Sequence, residues 1–228
     1  MLALLYDIHG NLPALEAVLA DAKEAGAESY LLGGDYALFG AWPEETVARL
    51  RELDASWIRG NGERWTASPA EGPRDEMVQR AITVCRGRLG PATVEDLNRL
   101  PVTTARDGVR YVHGSPVSDV RSFLPEPGED EAELLDGVRE PRLVFGHTHL
   151  QFERRAAGGG LELVNPGSVG MPFDGDPRAG FGLLGDDGRL ELRRVEYDHE
   201  ASAAAVRERL GDWAETVARR IEQAGSGV

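Results

Sequence analysis

Two of the five histidines in this 228-residue chain, His147 and His149, stand two residues apart in "LVFGHTHL", directly behind an apolar run. Alone, such a pair can be an ordinary loop. Other stretches repeat the arrangement: "LALLY" runs into Asp7-Ile8-His9, "SYLLGG" into Asp35, "SWIRG" into Asn61 and "VRYV" into His113. Each leading run is short and apolar, as a buried β-strand is. Ligands of open α/β sheets gather beyond the carboxyl ends of strands. Residues i and i+2 leaving a strand point to one side, so Asp7/His9 and His147/His149 each present two donors to one point.

The resulting donor set is two carboxylates, one amide oxygen and four imidazoles. Imidazole with carboxylate suits Mn, Fe, Zn, Co or Ni better than Ca or Mg. Seven protein ligands exceed what one ion uses while keeping an open position, and they fit two ions sharing a bridging carboxylate. Two ions ~3.5–4 Å apart lower the pKa of a shared water and clamp the attacking and leaving oxygens of an in-line displacement. They also supply positive charge to a chain whose formal net charge is -14. That charge disfavours a nucleic acid or an anionic membrane as partner. It also argues against a DNA nuclease, since no basic stripe is present.

The elements that must position these donors follow from the pattern. Strands are expected at 2–6, 29–33, 56–59, 109–112, 142–145 and 161–164, and helices near 13–25, 43–53, 74–88, 91–99, 130–138 and 199–222. Pro13 and Pro43 suit a first helical turn, and Gly26 suits a helix stop. The first half reads β-α-β-α-β, which favours a parallel sheet with covering helices. The second half adds strands at 151–155, 181–184 and 190–195, with hairpin turns at "AAGGG" and "GDDG". These predict a second, mixed sheet packed on the first. "LPEPGEDEAE" reads as a solvated loop feeding a helix, and "EQAGSGV" as a frayed tail. No composition shift divides the chain, so one domain over 1–228 is expected. Cys85, the only cysteine, excludes a disulfide framework and reads as a buried or half-buried helix residue. The N-terminus lacks the basic flank of a signal peptide and no segment spans a bilayer, so a cytoplasmic protein is expected.

In order along the chain, "DIHGN", "GGDY", "GNGE", "VHGSP" and "GHTH" resemble the signature of the calcineurin-like metallophosphoesterases, most of all the small bacterial and archaeal phosphodiesterases. The resemblance runs from Asp7 to about Ser168. It implies a four-layer α-β-β-α sandwich of two mixed sheets with outer helices. It implies one metal held by Asp7, His9, Asp35 and His149, and a second by Asp35, Asn61, His113 and His147, with Asp35 bridging. The expected activity is hydrolysis of a small phosphoester by a hydroxide shared between the ions. Asp35, Asn61 and His113 are then the catalytic set.

One piece departs from the family pattern. Where the family often carries Gly-Asn-His-Asp, this chain has Gly62 in place of the proton-donating His and Glu63 in place of the Asp. A glycine donates no side-chain proton, and such help is typically worth ~10²–10⁴-fold. Phosphodiesters with good leaving groups are therefore expected over monoesters. A phosphomonoesterase or nucleotidase is the enzymatic alternative. The other is a non-catalytic metal-binding scaffold, as in the retromer subunit that resembles these enzymes; all seven ligand positions being filled argues against it.

Further residues have two readings each. Asn11, Arg59 and Arg121 are candidate substrate contacts, with Arg64 as another phosphate clamp, although Asn11 can equally cap the first helix. Asn165 and Ser168 fit a turn, or a support for a histidine ligand. His199 is structural, or the missing acid. Tyr36, Phe39 and Trp42 can stack on a base or pack on themselves. The insert from Trp65 to Gly90 is a cap over the site, or outer-layer helix.

Overall fold

Alternation in the first strand decides which side each layer occupies. In β1 (Leu2–Leu5) and the three residues after it, Ala3, Leu5 and Ile8 pack under helices, while Leu4 and Tyr6 face the opposite way. The computed structural model describes residues 1–226. From β1 the chain passes through α1 (Leu12–Glu24), β2 (Ser29–Leu32), α2 (Pro43–Leu50) and β3 (Ala55–Trp57). The three strands pair in parallel, Leu4 opposite Leu31 and Leu31 opposite Ser56. Asn11 caps α1, its side-chain oxygen accepting the Ala14 N–H at 3.4 Å.

Next come α3 (Asn61–Ala67) and α4 (Glu76–Asn98). α4 consists of the two helices expected at 74–88 and 91–99, divided where Gly90 takes a φ of 71° ahead of Pro91. Ala81, Ile82, Cys85 and Leu97 of α4 enter the same core as α1 and α2. The 65–90 insert is thus largely outer-layer helix, and Cys85 is buried as expected.

The second sheet holds β4 (Thr103–Arg106), β5 (Val109–Val112), β6 (Arg142–Val144), β8 (Glu162–Asn165) and β7 (Phe152–Arg155), in that order. β5, β6 and β8 are parallel, and the edges β4 and β7 are antiparallel. Leu4, Tyr6, Leu31 and Ile58 of the first sheet meet Val109, Tyr111, Val144 and Val164 of the second. Outside lies the shortest layer, α5 (Glu131–Leu134) with its loop, covering Leu143, Phe145 and Leu163. Four layers, helix-sheet-sheet-helix, are therefore present.

Two strands depart from the expected assignment. β9 (Ala179–Leu184) and β10 (Leu190–Val195) do not extend the second sheet; they return to the first, in the order β10-β9-β1-β2-β3. β9 runs antiparallel to β1, with Leu4 opposite Gly182, so the buried edge of β1 is paired rather than open. The "GDDG" hairpin joins β9 to β10 as expected. The single helix expected at 199–222 is two, α6 (His199–Leu210) and α7 (Glu215–Gln223), divided at Gly211 with a φ of 87°. The expected frayed tail is anchored at its start: Ala224 is buried and its carbonyl accepts the Gly175 N–H at 2.9 Å. Residues 227–228 lie outside the described residues. Among the described residues, no helix is long and apolar enough to cross a membrane.

Candidate metal centre

All seven expected donors leave the carboxyl ends of parallel strands. Asp7 and His9 follow β1, Asp35 follows β2, Asn61 follows β3, His113 follows β5, and His147 and His149 follow β6. Five of them sit in left-handed backbone: Asp7 (φ 53°), His9 (φ 50°), Asp35 (φ 56°), His147 (φ 69°) and His149 (φ 59°). For residues with a side chain this region costs on the order of 1–3 kcal/mol each, and such strain gathers at functional sites. The surrounding backbone enforces it. Asp7 N–H donates to Gly34 O at 3.2 Å, His9 N–H to Asp35 O at 2.9 Å and Gly10 N–H to Tyr36 O at 2.8 Å, which ties the two first loops together.

Three imidazoles are fixed by backbone carbonyls. His9 Nδ1 lies 2.9 Å from Leu38 O, His113 Nδ1 2.8 Å from Gly33 O, and His149 Nδ1 2.6 Å from Met171 O. A carbonyl only accepts, so each Nδ1 carries the hydrogen and each Nε2 is left for another partner. Yet His9 Nε2 and His149 Nε2 face each other at 3.0 Å. Burial, then the neighbouring His149, pulls the His9 pKa down to about 3, so at neutral pH its Nε2 is a bare lone pair. Asp7 Oδ1 lies 3.4 Å from His149 Nε2 and is buried with no hydrogen-bond partner. Three donors thus converge on one point that demands positive charge, more than a single shared proton can satisfy. The donor set fits a bound cation.

A second group of donors adjoins the first. Ligand atoms of Asp7, Asp35 and His113 lie within 4.8 Å of one another, as do those of Asp7, His9 and His149. Asp35 reaches toward both groups, Oδ1 3.5 Å from His113 Nε2 and Oδ2 3.9 Å from His9 Nε2. Asp7 Oδ1 sits on their common edge, 3.8 Å from His113 Nε2. Burial raises the Asp35 pKa to about 7, against the pull of His113 and with the help of Glu63 and Asp7. Buried carboxylates this close repel unless cations lie between them.

Asn61 and His147 complete this side. In one orientation Asn61 Oδ1 lies 3.0 Å from His113 Nε2 and accepts its hydrogen when the imidazole is protonated, a form that Asp35 and Asp7 favour against burial by raising the His113 pKa. In the other, the amide N–H₂ donates to His147 Nδ1 at 2.9 Å and to His113 Nε2 at 3.0 Å. His147 is half-buried, and burial followed by the His113 charge brings its pKa down to about 4. It borders a cleft of about 380 Å³ with Arg64, Trp65, Glu71, Gly72, Pro73 and Val120.

Glu63 has a role that reading the sequence did not assign. Its buried carboxylate accepts the N–H groups of Asp35 at 2.9 Å, Tyr36 at 2.8 Å and Gly60 at 2.8 Å. It therefore fastens the Asp35 loop to the start of α3, where Asn61 stands. The available signal was its position three residues after the helix-capping Gly60, where a glutamate reaches back to the cap N–H. Beside it, the Gly62 N–H donates to Asp35 Oδ1 at 2.7 Å. A Cβ at position 62 would stand 2.9 Å from that oxygen, so the missing side chain lets the carboxylate rest against the backbone.

The expected substrate contacts fare differently. The Arg121 guanidinium pairs with Asp130 and Glu133 at the exposed surface instead of serving the centre. Arg59 bonds Asn98 through its backbone and side-chain oxygens, each at 3.1 Å. Arg64 is gripped by Asp119, both contacts 2.6 Å, and by Glu71. Asn11 is buried, capping α1, donating to Gly170 O at 2.8 Å and accepting from Ser202 Oγ at 3.1 Å. These partners occupy Arg121, Arg64 and Asn11, whereas Arg59 keeps a buried Nε without a partner.

Asn165 and Ser168 do support the ligand loops. Asn165 Nδ2 donates to Thr148 Oγ1 at 2.9 Å, between the two histidines, and Ser168 Oγ donates to Asp7 O at 2.7 Å. His199 opens α6 beside Tyr197, outside both donor groups. Tyr36 is fully buried, edge-on to Trp57 with its hydroxyl on Leu32 O, so it belongs to the core.

The chain is similar to several known proteins. A phosphodiesterase of Escherichia coli, YfcE, is 28% identical over 182 residues, covering 79% of this chain and 85% of its own. An uncharacterized protein of Methanocaldococcus jannaschii is 29% identical over 236 residues, covering 93% and 95%. Among solved structures, a metallophosphoesterase from Sphaerobacter thermophilus superposes with a TM-score of 0.84 at 27% identity, covering 98% of both chains. The model of the calcineurin-like phosphoesterase superfamily domain matches residues 1–186, which include every donor of the centre, and the chain belongs to that superfamily.

Proposed function

We propose that the chain is a dinuclear metal-dependent phosphoesterase that favours phosphodiesters. The observation that carries this reading is the pair of His9 and His149 Nε2 atoms facing each other 3.0 Å apart, beside the unpartnered Asp7 Oδ1. Asp7, His9, Asp35 and His149 would hold one divalent transition-metal ion, and Asp35, Asn61, His113 and His147 the other. Asp35 as the bridge is supported by its offering one oxygen toward each imidazole group. When bound, two such ions lower the pKa of a shared water and stabilise the charge that develops on the phosphoryl oxygens.

The chain's own residues do the rest. The carbonyls of Leu38, Gly33 and Met171 hold the imidazoles in the tautomer that leaves Nε2 free. Asn61 and His113 fix charge beside the reacting phosphoryl group. No side chain at position 62 protonates the leaving oxygen, which supports a preference for diesters with acidic leaving groups. The phosphodiesterase YfcE as a relative supports the same class. The strongly acidic chain supports a small phosphoester rather than nucleic acid as substrate.

A leaving-group series tests the reading. Along aryl phosphodiesters from 4-nitrophenyl to phenyl, and on to an alkyl ester, kcat/KM is expected to fall steeply. The alkyl ester should lack the ~10²–10⁴-fold help that a general acid gives. The aryl diester is expected to outpace the matching aryl monoester. A flat series would contradict the role assigned to Gly62.

A further inference from the structure

One arginine beside the centre, Arg220, makes neither an ion pair nor a hydrogen bond among the described residues. Phe173 stacks on the His149 imidazole, ring centroids 4.3 Å apart and planes 20° apart. The Arg220 guanidinium of α7 lies 5.8 Å from the Phe173 centroid. Arg220 is half-buried, enters no ion pair or hydrogen bond among the described residues, and its Nε is buried without a partner. The other arginines considered for substrate, Arg59, Arg64 and Arg121, are held by protein oxygens. Burial disfavours the Arg220 charge, and Asp75 is the carboxylate that offsets this. Asp75 is itself engaged, its Oδ1 accepting the Val78 N–H at the cap of α4.

The surroundings match an organic group bearing a further charge. Phe39 lies 5.8 Å from the His9 ring, and Phe39, Trp42, Met77 and Phe173 are half-buried around the apolar cluster that α6 and α7 form with Met171. Aromatic side chains thus adjoin two imidazoles of the centre, and one of them, Phe173, also contacts the unpaired guanidinium. Such a guanidinium is a strong and geometrically selective partner for phosphate or carboxylate. Arg220 also lies beyond residues 1–186, the stretch matched to the superfamily.

We propose that Arg220, with Phe173, forms a subsite for a second anionic group on the substrate, so that the enzyme selects phosphodiesters whose organic moiety carries a ring and a further phosphate. This rests on the phosphoesterase reading above. The aromatic wall receives the ring, and the guanidinium receives the distal phosphate while the scissile phosphate lies at the metal centre.

The test compares thymidine 3′,5′-bisphosphate with thymidine 5′-monophosphate by calorimetric titration of the metal-loaded protein. The wild type is expected to prefer the bisphosphate by about tenfold, as a charge-assisted contact allows. In Arg220→Ala that ratio collapses toward one, and Arg220→Lys retains part of it. Arg220→Gln keeps part of the aliphatic stem and a polar end without the charge, and it should lose the ratio as the alanine variant does. In turnover, Arg220→Ala is expected to raise KM for the 4-nitrophenyl ester of thymidine 3′,5′-bisphosphate about tenfold more than for the ester lacking the 3′-phosphate. An unchanged ratio in the alanine and glutamine variants, or equal weakening of both ligands, would overturn the subsite. If the wild type turned over neither ester, the phosphoesterase reading would fail, and the titration alone would still decide Arg220.

Discussion

Asp35→Asn is expected to lower kcat/KM for an aryl phosphodiester by roughly 10³-fold or more, the equivalent of losing several kcal/mol of charge stabilisation. The side chain keeps its shape, and an amide oxygen can still accept the Gly62 N–H that Asp35 Oδ1 accepts at 2.7 Å. What is lost is the negative charge facing His113 at 3.5 Å and His9 at 3.9 Å. The same variant separates chemistry from folding. Without metal, burial first, then the charges of Glu63 and Asp7, raise the Asp35 pKa from 3.8 to about 7, with His113 opposing. A carboxyl raised on folding makes the fold lose stability as pH climbs from the unfolded value through the folded one. At pH 8 the metal-free asparagine variant is therefore expected to be at least as stable as metal-free wild type. Thermal unfolding in chelator checks this, and added metal should raise the midpoint of the wild type far more than that of the variant. Activity within tenfold of wild type would contradict the bridging role.

Glu63→Ala should act through structure. Three buried N–H donors, those of Asp35, Tyr36 and Gly60, lose their acceptor at once. Each unsatisfied donor costs ~1–3 kcal/mol, so a loss of about 3 kcal/mol or more is expected in urea unfolding. The Asp35 loop is also freed from the start of α3, so the carboxylate and Asn61 no longer hold a common position. Metal affinity is then expected to drop by roughly 10–100-fold, the usual penalty when a ligand's support is removed. Glu63→Gln should fall between, because its amide oxygen accepts while its N–H₂ group turns toward donors. An alanine variant within about 1 kcal/mol of wild type would mean that water replaces the carboxylate and the clamp is dispensable.

The donors were legible because each ends an apolar run, and a strand that stops at the edge of a sheet delivers its next polar residue to that edge. The seven positions needed only local pattern and chain order. Their backbone state was less legible, since nothing in "DIHGN" alone reveals a φ of 53° at Asp7. The pairing of β9 with β1 was not legible, because strand propensity names a strand and not its neighbour. Leu4 meets Gly182 through the tertiary fold alone. Arginines misled for a related reason. Residue type suggested Arg121 as a phosphate clamp, yet Asp130 and Glu133 close by in the sequence claim its guanidinium. Arg220 lay in the helix expected at 199–222 with no role attached, and only the folded chain shows that its guanidinium enters no ion pair or hydrogen bond among the described residues. Gly62 was noticed for the side chain it lacks, but its N–H on Asp35 became visible only in three dimensions.

The central claim is that two ions held by Asp7, His9, Asp35, Asn61, His113, His147 and His149 drive phosphodiester hydrolysis. The most direct measurement strips the protein of metal and titrates Mn, Ni, Zn, Fe, Co or Mg back while following hydrolysis of bis(4-nitrophenyl) phosphate. Turnover is expected to be absent at the start, to return with a transition metal, and to level off at about two equivalents per chain, as a two-ion mechanism requires. Full turnover in the stripped protein, or none with two ions bound, would contradict it.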